Sequence, residues 1–422
     1  MKIYPKVYHS NKKQTVFLQI EKAEEKITIK IQGMEYYTIP HSPLYRIDEE
    51  ERYPFVEMKK CGDDLYSVEY EFRQEQKYSV TVMVGAEVRL KTYLYAVDDD
   101  LAPLYPFKGD THLHSNHSDG EGTPFEVGCN YRKAGYDFIA ITDHHIMYPS
   151  VEGMSAFKPL TDTFTVFQAE EVHNRGMGYF HIINFGGTVS VNEPILADPD
   201  AIEGKVQAIL ASRDFTGVAD PYACAYRIFV AEEIRKGGGL AIMAHPYWDC
   251  YGEYNAQTEN VRYLWKNGCY DALELLAGCD FRGNGNNLQL ALWADLRAEG
   301  VKIPVVGASD SHSCTATDSL FNKQFSIVFA KDADDIKNAI VAERSVAIDR
   351  RTDADFYAFG KYRYVKYARF IMEEYAPAYN RLAADHAAAL SLSNGERTPS
   401  IALAEDRILA YKREFFATLS QD

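Results

Sequence analysis

Apolar and polar residues alternate one for one through much of the first hundred positions. The segments KITIKIQG (26–33), LYSVEYEF (65–72), YSVTVMVG (78–85) and VRLKTYLYAV (88–97) place an apolar side chain at every second residue. That is the period of a strand with one buried and one solvated face. Short charged or glycine-containing turns separate the segments, so residues 1–100 are expected to form a small antiparallel β-sandwich. The acidic run DDD (98–100) and the following LAPLYPF read as a linker, because prolines and clustered charge resist regular pairing.

From 106 to 350 the pattern changes to short apolar runs separated by helix-like stretches. The expected strands are FIAITD (138–143), TFTVFQAEEV (163–172), HIINFG (181–186), LAIMAH (240–245), ALELL (272–276), IPVVGASD (303–310) and FSIVFA (325–330). Between them lie PFEVGCNYRKAG (124–135), AYRIFVAEEIRKGG (225–238) and NLQLALWADLRAEG (287–300), the last two closed by glycines of the kind that end helices. Alternation of this sort predicts an α/β fold with a parallel sheet, and its repetition predicts a barrel. Residues 351–422 read as a mostly helical extension, interrupted at NGERTPS (394–400).

Composition adds limits. A formal net charge of -16 over 422 residues disfavours a track for extended duplex nucleic acid, whose backbone an acidic surface repels. A small phosphorylated substrate remains compatible, since bound cations would make a pocket locally positive. The seven cysteines form no C-x-x-C pair, and the N-terminal MKIYPKVYHSNKKQTVFLQI lacks the apolar run of a secretory signal. No stretch has the length of a membrane span. A cytoplasmic protein without membrane association is the expectation, its oligomeric state open.

Histidine placement points to chemistry. Of twelve histidines, nine lie between 112 and 312, and potential ligands fall at the ends of expected strands. His112 and His114 close PFKGDTHLH; on a strand, residues two apart point the same way, so both imidazoles could address one metal. Asp119 follows in the turn SDG, His144 ends FIAITDH, Glu171 lies near the end of the 163–172 strand and His181 opens HIINFG. His245 ends LAIMAH, and Asp310 with His312 ends VVGASDSH. In a parallel barrel the strand ends converge on one face, where catalytic groups gather.

These pieces together resemble the PHP (polymerase and histidinol phosphatase) family. The matching motifs are D-T-H-L-H-S-x-x-S-D-G at 110–120, I-T-D-H at 141–144, E-E-V at 170–172, H-I-I-N at 181–184, A-H-P at 244–246 and G-A-S-D-S-H at 307–312, in the family's order and spacing across residues 106–350. The resemblance implies a distorted (β/α)7 barrel whose strand ends hold two or three divalent transition metal ions, Zn, Mn or Fe. It implies that His112, His114, Glu171 and Asp310 bind a first ion, that Glu171 bridges to a second held also by His181 and His245, and that Asp119, His144 and His312 hold a third. Glu171, His245 and Asp310 then form the catalytic core, with Asp143, Asp310 and His245 as candidates for proton transfer.

The implied activity is hydrolysis of a small phosphomonoester or nucleotide by metal-activated water. The alternatives are a phosphodiesterase or exonuclease acting on short oligonucleotides, and an inactive metal-binding scaffold whose N-terminal domain recognises a glycan or partner through aromatics such as Tyr36, Tyr37 and Tyr45.

Two positions have competitors. Glu170 stands beside Glu171, where Ala169 replaces the family's usual glycine, and His117 stands two residues before Asp119. His145 and His173 point away from the site if their segments are extended. Arg175, Arg213, Arg227 and Arg282 are candidates for gripping phosphate bidentately. The glycines of KGGGL (236–240) follow a helix and lack the Walker lysine, so they read as helix termination. YWDCYGEY (247–254), directly after His245, could form a loop that selects substrate. His9, His41 and His386 read as surface or satisfied core residues.

Overall fold

The computed structural model describes residues 1–21, 25–35, 54–173, 181–250, 252–278, 284–315, 320–352 and 355–417. Tyr36, Tyr37, Tyr45, His41, Arg175 and Arg282 lie outside them. The chain divides into two compact units: Met1–Leu104 with Lys366–Tyr379 and Asp406–Asp422, and Tyr105–Val365 with Asn380–Glu405. The C-terminal residues are therefore shared between the units. They open on a strand, Phe356–Gly360, before turning helical.

In the first unit the period-two segments become strands. Ile27–Gly33 alternates buried Ile27, Ile29 and Ile31 with half-buried Thr28, Lys30 and Gln32. It pairs antiparallel with Gln76–Val84, which pairs in turn with Glu87–Val97. A second sheet pairs Lys12–Gln19 with Leu65–Phe72, and Val16 and Leu18 share one apolar core with Ile29, Val80 and Val82. One pairing departs from the antiparallel pattern: Val7–His9 runs parallel to Glu87–Val97. Leu94 enters the shared core while Tyr95, one residue on, packs against the rings of Tyr367 and Phe370 at 4.8 and 5.3 Å.

The second unit carries the expected apolar runs as strands in two sheets. One is ordered Thr165–Phe167, Phe138–Ile141, Tyr105–Leu113, Gln324–Ala330, Ser345–Arg350, Phe356–Gly360; the other Ala169–Val172, Ile182–Phe185, Leu240–Met243, Ala272–Ala277, Val305–Ala308. Two isolated parallel bridges, Leu113↔Ser311 and His144↔Glu171, join these sheets.

Two expectations are corrected here. The sheets are mixed, because Ala169–Val172 and Ile182–Phe185 pair antiparallel, as do Ile182–Phe185 and Leu240–Met243. The link from Val172 to Ile182 is too short for the crossover helix that parallel neighbours need. The 163–172 run also breaks into two strands, and the carbonyl of Gln168 at the break accepts from Gly186 N at 2.8 Å.

The near-continuous hydrophobicity of these strands follows from burial on both faces. Ile183, Ile242, Ala272 and Val306 pack into an inner cluster. Their neighbours Ile182, Met243, Leu273 and Val305 pack into another cluster with Val230 and Ile234 from the helix Pro221–Lys236. Helix starts are set locally: Thr123 and Glu126 form a reciprocal capping box ahead of Pro124–Lys133, and Asp220 caps Pro221–Lys236 by accepting from Ala223 N. Lys236 ends that helix, with Gly237 as its cap and Gly238 at φ +76°. No helix among the described residues is long and apolar enough to cross a membrane.

Candidate metal centre

The side-chain period of two carries functional groups onto the inner face. Ala169 and Ala272 belong to the inner cluster, so Glu171 and Glu274, two residues further along each strand, share that face above the apolar interior. Both carboxylates are fully buried. On Tyr105–Leu113, a strand of the other sheet, His112 lies near the end and His114 just beyond it. Backbone bonds lock this end to the 309–311 segment: Asp310 N donates to His112 O and His114 N to Ser311 O, each at 2.9 Å. Asp310 adopts φ +50°, a left-handed conformation that aspartate tolerates better than most residues.

His112 Nε2, His114 Nε2 and Asp310 Oδ1 form a triangle with edges of 3.3, 3.0 and 3.1 Å. A tetrahedral ion with nitrogen ligands at about 2.0–2.1 Å sets those ligands about 3.3 Å apart, so the triangle has the dimensions of a ligand face. Glu171 stands beside it. Its Oε1 is 2.6 Å from His181 Nδ1 and 3.6 Å from His245 Nε2; its Oε2 is 2.7 Å from His144 Nδ1 and 3.5 Å from His112 Nε2. The nitrogens approach these oxygens off the direction of a hydrogen bond, and neither buried oxygen receives one of good geometry. Such an arrangement is costly unless another group completes it. Asp119 Oδ2 lies 3.3 Å from both His144 Nε2 and His312 Nε2. These groupings of His, Asp and Glu can hold divalent metal ions.

All nine residues singled out from the sequence are thus brought together, from a buried floor of His112, Glu171 and His245 to an exposed rim at Asp119. Alternation separates the adjacent glutamates. Glu170 faces the other way and accepts from Asn184 Nδ2, Ser190 Oγ, Val191 N and Asn192 Nδ2 at 2.6–3.1 Å. His117 pairs instead with Glu152 at 3.1 Å. Asp143 accepts from Ser115 N and Ser115 Oγ in the turn after His114. Arg213 pairs with Glu232, and Arg227 donates to the carbonyl of Asn255, whose Nδ2 lies 3.5 Å from His245 Nδ1. Trp248 brings its ring within 5.5 Å of His181 and 5.3 Å of His245, ahead of a two-residue hairpin pairing Asp249 with Tyr254. His9 pairs with Asp99, and buried His386 accepts from Arg132.

The sequence reading missed two members. Glu274 accepts from His112 Nδ1 at 2.9 Å and from His245 N at 3.1 Å, orienting one imidazole and fixing the backbone of another. A single carboxylate inside ALELLA, a strand buried throughout, was the available signal. His173 follows the strand end at Val172, so the chain leaves extended geometry and its ring turns in beside His144, 4.6 Å between centroids. Nothing local marks that turn. His145 stays exposed, with its ring 4.3 Å from that of His173.

The electrostatics are those of a concentrated negative site. Burial works against charge on Asp310, but the His112, His114 and His245 imidazoles outweigh it and lower its pKa. Glu171 is likewise lowered against burial, chiefly by His181 and His112. Burial disfavours protonated His112, yet Asp310, Glu274 and Glu171 raise its pKa. For His181 burial prevails and its pKa falls to about 3, which keeps the ring neutral and able to donate a lone pair. Ionised carboxylates with a ready neutral imidazole are the donor set of a cation site.

No family model matches the chain, and no curated protein does. Among solved structures, a two-domain Bacteroides vulgatus protein containing a predicted PHP-like metal-dependent phosphoesterase matches at 20% identity and a TM-score of 0.40, over 58% of this chain and 65% of its own. The match therefore spans under two thirds of that protein. A Bifidobacterium adolescentis protein assigned as a metal-dependent phosphoesterase matches at 16% identity and a TM-score of 0.39, over 55% of this chain and 95% of its own. An amidohydrolase from Chromobacterium violaceum, with bound sulfate and no metal, matches at 19% identity and a TM-score of 0.33, over 49% and 87%. Two proteins described as metal-dependent phosphoesterases, one of them as predicted PHP-like, are thus among the solved structures to which this chain is similar.

Proposed function

We propose that this chain is a metal-dependent phosphoesterase that hydrolyses a small phosphomonoester or nucleotide at a centre of two or three divalent ions, Zn, Mn or Fe. The observation that carries the reading is Glu171. A fully buried carboxylate ringed by imidazole nitrogens stands between the His112–His114–Asp310 triangle and the His181–His245 pair. Phosphoester chemistry is supported by the order of motifs from D-T-H-L-H to D-S-H. We read the site-bearing strands as a distorted (β/α)7 barrel, a reading supported by the two bridges that join the two sheets.

When bound, such ions would lower the pKa of a coordinated water and neutralise phosphoryl oxygens. The protein prepares their binding. Glu274 accepts a hydrogen bond from His112 Nδ1–H, and the Asp310 carbonyl lies 2.9 Å from His312 Nδ1. A neutral imidazole carries one N–H, so both rings keep the Nε2 lone pair for the centre. The two oxygens of Glu171 face different imidazoles, which suits a carboxylate shared by neighbouring cations. Trp248, beside His181 and His245, is placed to meet the non-phosphate part of a substrate. An odd number of cysteines, seven, in a chain too long to need a disulfide scaffold supports our reading of a reducing, cytoplasmic setting.

Metal analysis of the purified protein, followed by a phosphomonoesterase and phosphodiesterase screen with added Mn or Zn, tests the reading. Turnover of a monoester that His245→Ala abolishes is the expected result. Bound metal without turnover of any substrate would favour a binding scaffold instead.

A further inference from the structure

The role of His173 is decided by a distance. Its Nε2 lies 2.7 Å from His144 Nδ1 and 3.5 Å from Glu171 Oε2. Nitrogens bound to one tetrahedral ion stand about 3.3 Å apart, and about 2.9 Å on adjacent corners of an octahedron. The shorter separation is a hydrogen-bond length, although His144, Glu171 and His173 also offer ligand atoms close enough together to hold one ion. The other face of His144 points elsewhere: Nε2 is 3.3 Å from Asp119 Oδ2, the oxygen that His312 Nε2 also approaches at 3.3 Å. If His144 Nε2 offers its lone pair to a cation there, the ring's one proton sits on Nδ1. Glu171 Oε2 is equally near that nitrogen, so the carboxylate and the His173 imidazole both approach the Nδ1 position.

We infer that His173 is a positioning residue. It accepts the Nδ1–H of His144, fixes the tautomer in which Nε2 joins Asp119 and His312 at a cation, and leaves Glu171 Oε2 free for metal. Two neighbouring imidazoles have the same design, since Glu274 faces His112 Nδ1 and the Asp310 carbonyl faces His312 Nδ1. The scaffold holds residue 173 in place: Asn192 Oδ1 accepts from His173 N at 3.1 Å while Asn192 Nδ2 donates to Glu171 O at 2.9 Å. The inference rests on the metal-centre reading above.

The test compares the full-length wild-type chain with His173→Phe, which removes the acceptor, and His173→Gln, which keeps an acceptor oxygen. Bound Zn or Mn is counted by mass spectrometry and its affinity measured by chelator competition. In the Zn-loaded protein, 15N-histidine NMR reports which nitrogen of His144 carries the proton. The expected result is a roughly 10–100-fold weakening of one metal equivalent in His173→Phe, with the equivalent at His112, His114 and Asp310 unchanged. His173→Gln restores most of the loss, and the Nδ1–H form of His144 predominates in wild type but not in His173→Phe. Unchanged affinity for every ion in His173→Phe, or an Nε2–H form of His144 in wild type, overturns the assignment. A wild-type protein that binds no metal overturns the metal-centre reading itself, a result distinct from either of these.

Discussion

Glu274 Oε1 and His112 Nδ1 are joined by a 2.9 Å hydrogen bond between two fully buried side chains. The same carboxylate holds the backbone of His245 through its other oxygen, so one charge organises imidazoles from two strand ends. Glu274→Gln preserves the shape but removes the charge that makes His112 a stronger donor. Metal affinity measured by chelator competition should fall about 10–100-fold, the usual cost of losing such a partner, while the far-ultraviolet circular dichroism stays unchanged.

The two adjacent glutamates should separate cleanly by experiment. Saturating metal raises the stability of a binding protein by about 2.7 kcal/mol at a hundredfold excess over Kd. That gain, read from urea unfolding with and without metal, should vanish in Glu171→Gln and persist in Glu170→Gln. Glu170→Gln should instead destabilise the chelated protein by about 1–3 kcal/mol, because it disturbs a buried acceptor with several donors.

Gly278 follows the strand that carries Glu274, and a Cβ there would overlap the carbonyl oxygen of Ser309. Ser309 precedes Asp310, so relief of the overlap must move the Asp310 backbone. Gly278→Ala should cost about 1–3 kcal/mol by overpacking and lower metal stoichiometry at neutral pH. A variant of normal metal content would show that the strand end has room to adjust.

Acid sensitivity has a source remote from the centre. Burial, with the Arg132 and Arg397 cations near it, pushes His386 down to about 3, and its Nδ1 accepts from Arg132 Nε at 3.0 Å. An unfolded histidine titrates near 6.5, so between about pH 6.5 and 3 the unfolded chain holds the extra proton. Stability from neutral His386 is therefore complete above that range and lost as pH falls through it. In His386→Gln, which keeps an acceptor for Arg132, the dependence of unfolding free energy on pH below 6.5 should be shallower by up to about 1.4 kcal/mol per pH unit.

What could be read without a structure was what depends on near neighbours. Ile27, Ile29 and Ile31 announce a half-buried strand through their spacing alone, and the runs around Ile183, Ile242 and Val306 announce strands buried on both faces. The spacing of His112 and His114 similarly placed two imidazoles on one side of one strand. Strand direction was not legible: an apolar run has the same composition whether its neighbour runs parallel or antiparallel, and the short link between Val172 and Ile182 decided it.

The choice of Glu171 over Glu170 needed the pleat. Both residues are carboxylates in the same strand, and only the register of that strand against Ile182–Phe185 turns one inward and the other to Asn184 and Asn192. His173 and Glu274 reach His144 and His112 across 29 and 162 residues of chain, a proximity no local period encodes. Residue order alone pointed to nine of the groups the centre contains, because those ligand types sit at the ends of recognisable apolar runs, while Glu274 and His173 emerged only in the fold. Tertiary structure decided which nitrogen or oxygen each group presents, since that depends on hydrogen bonds between segments that meet only when the sheets form.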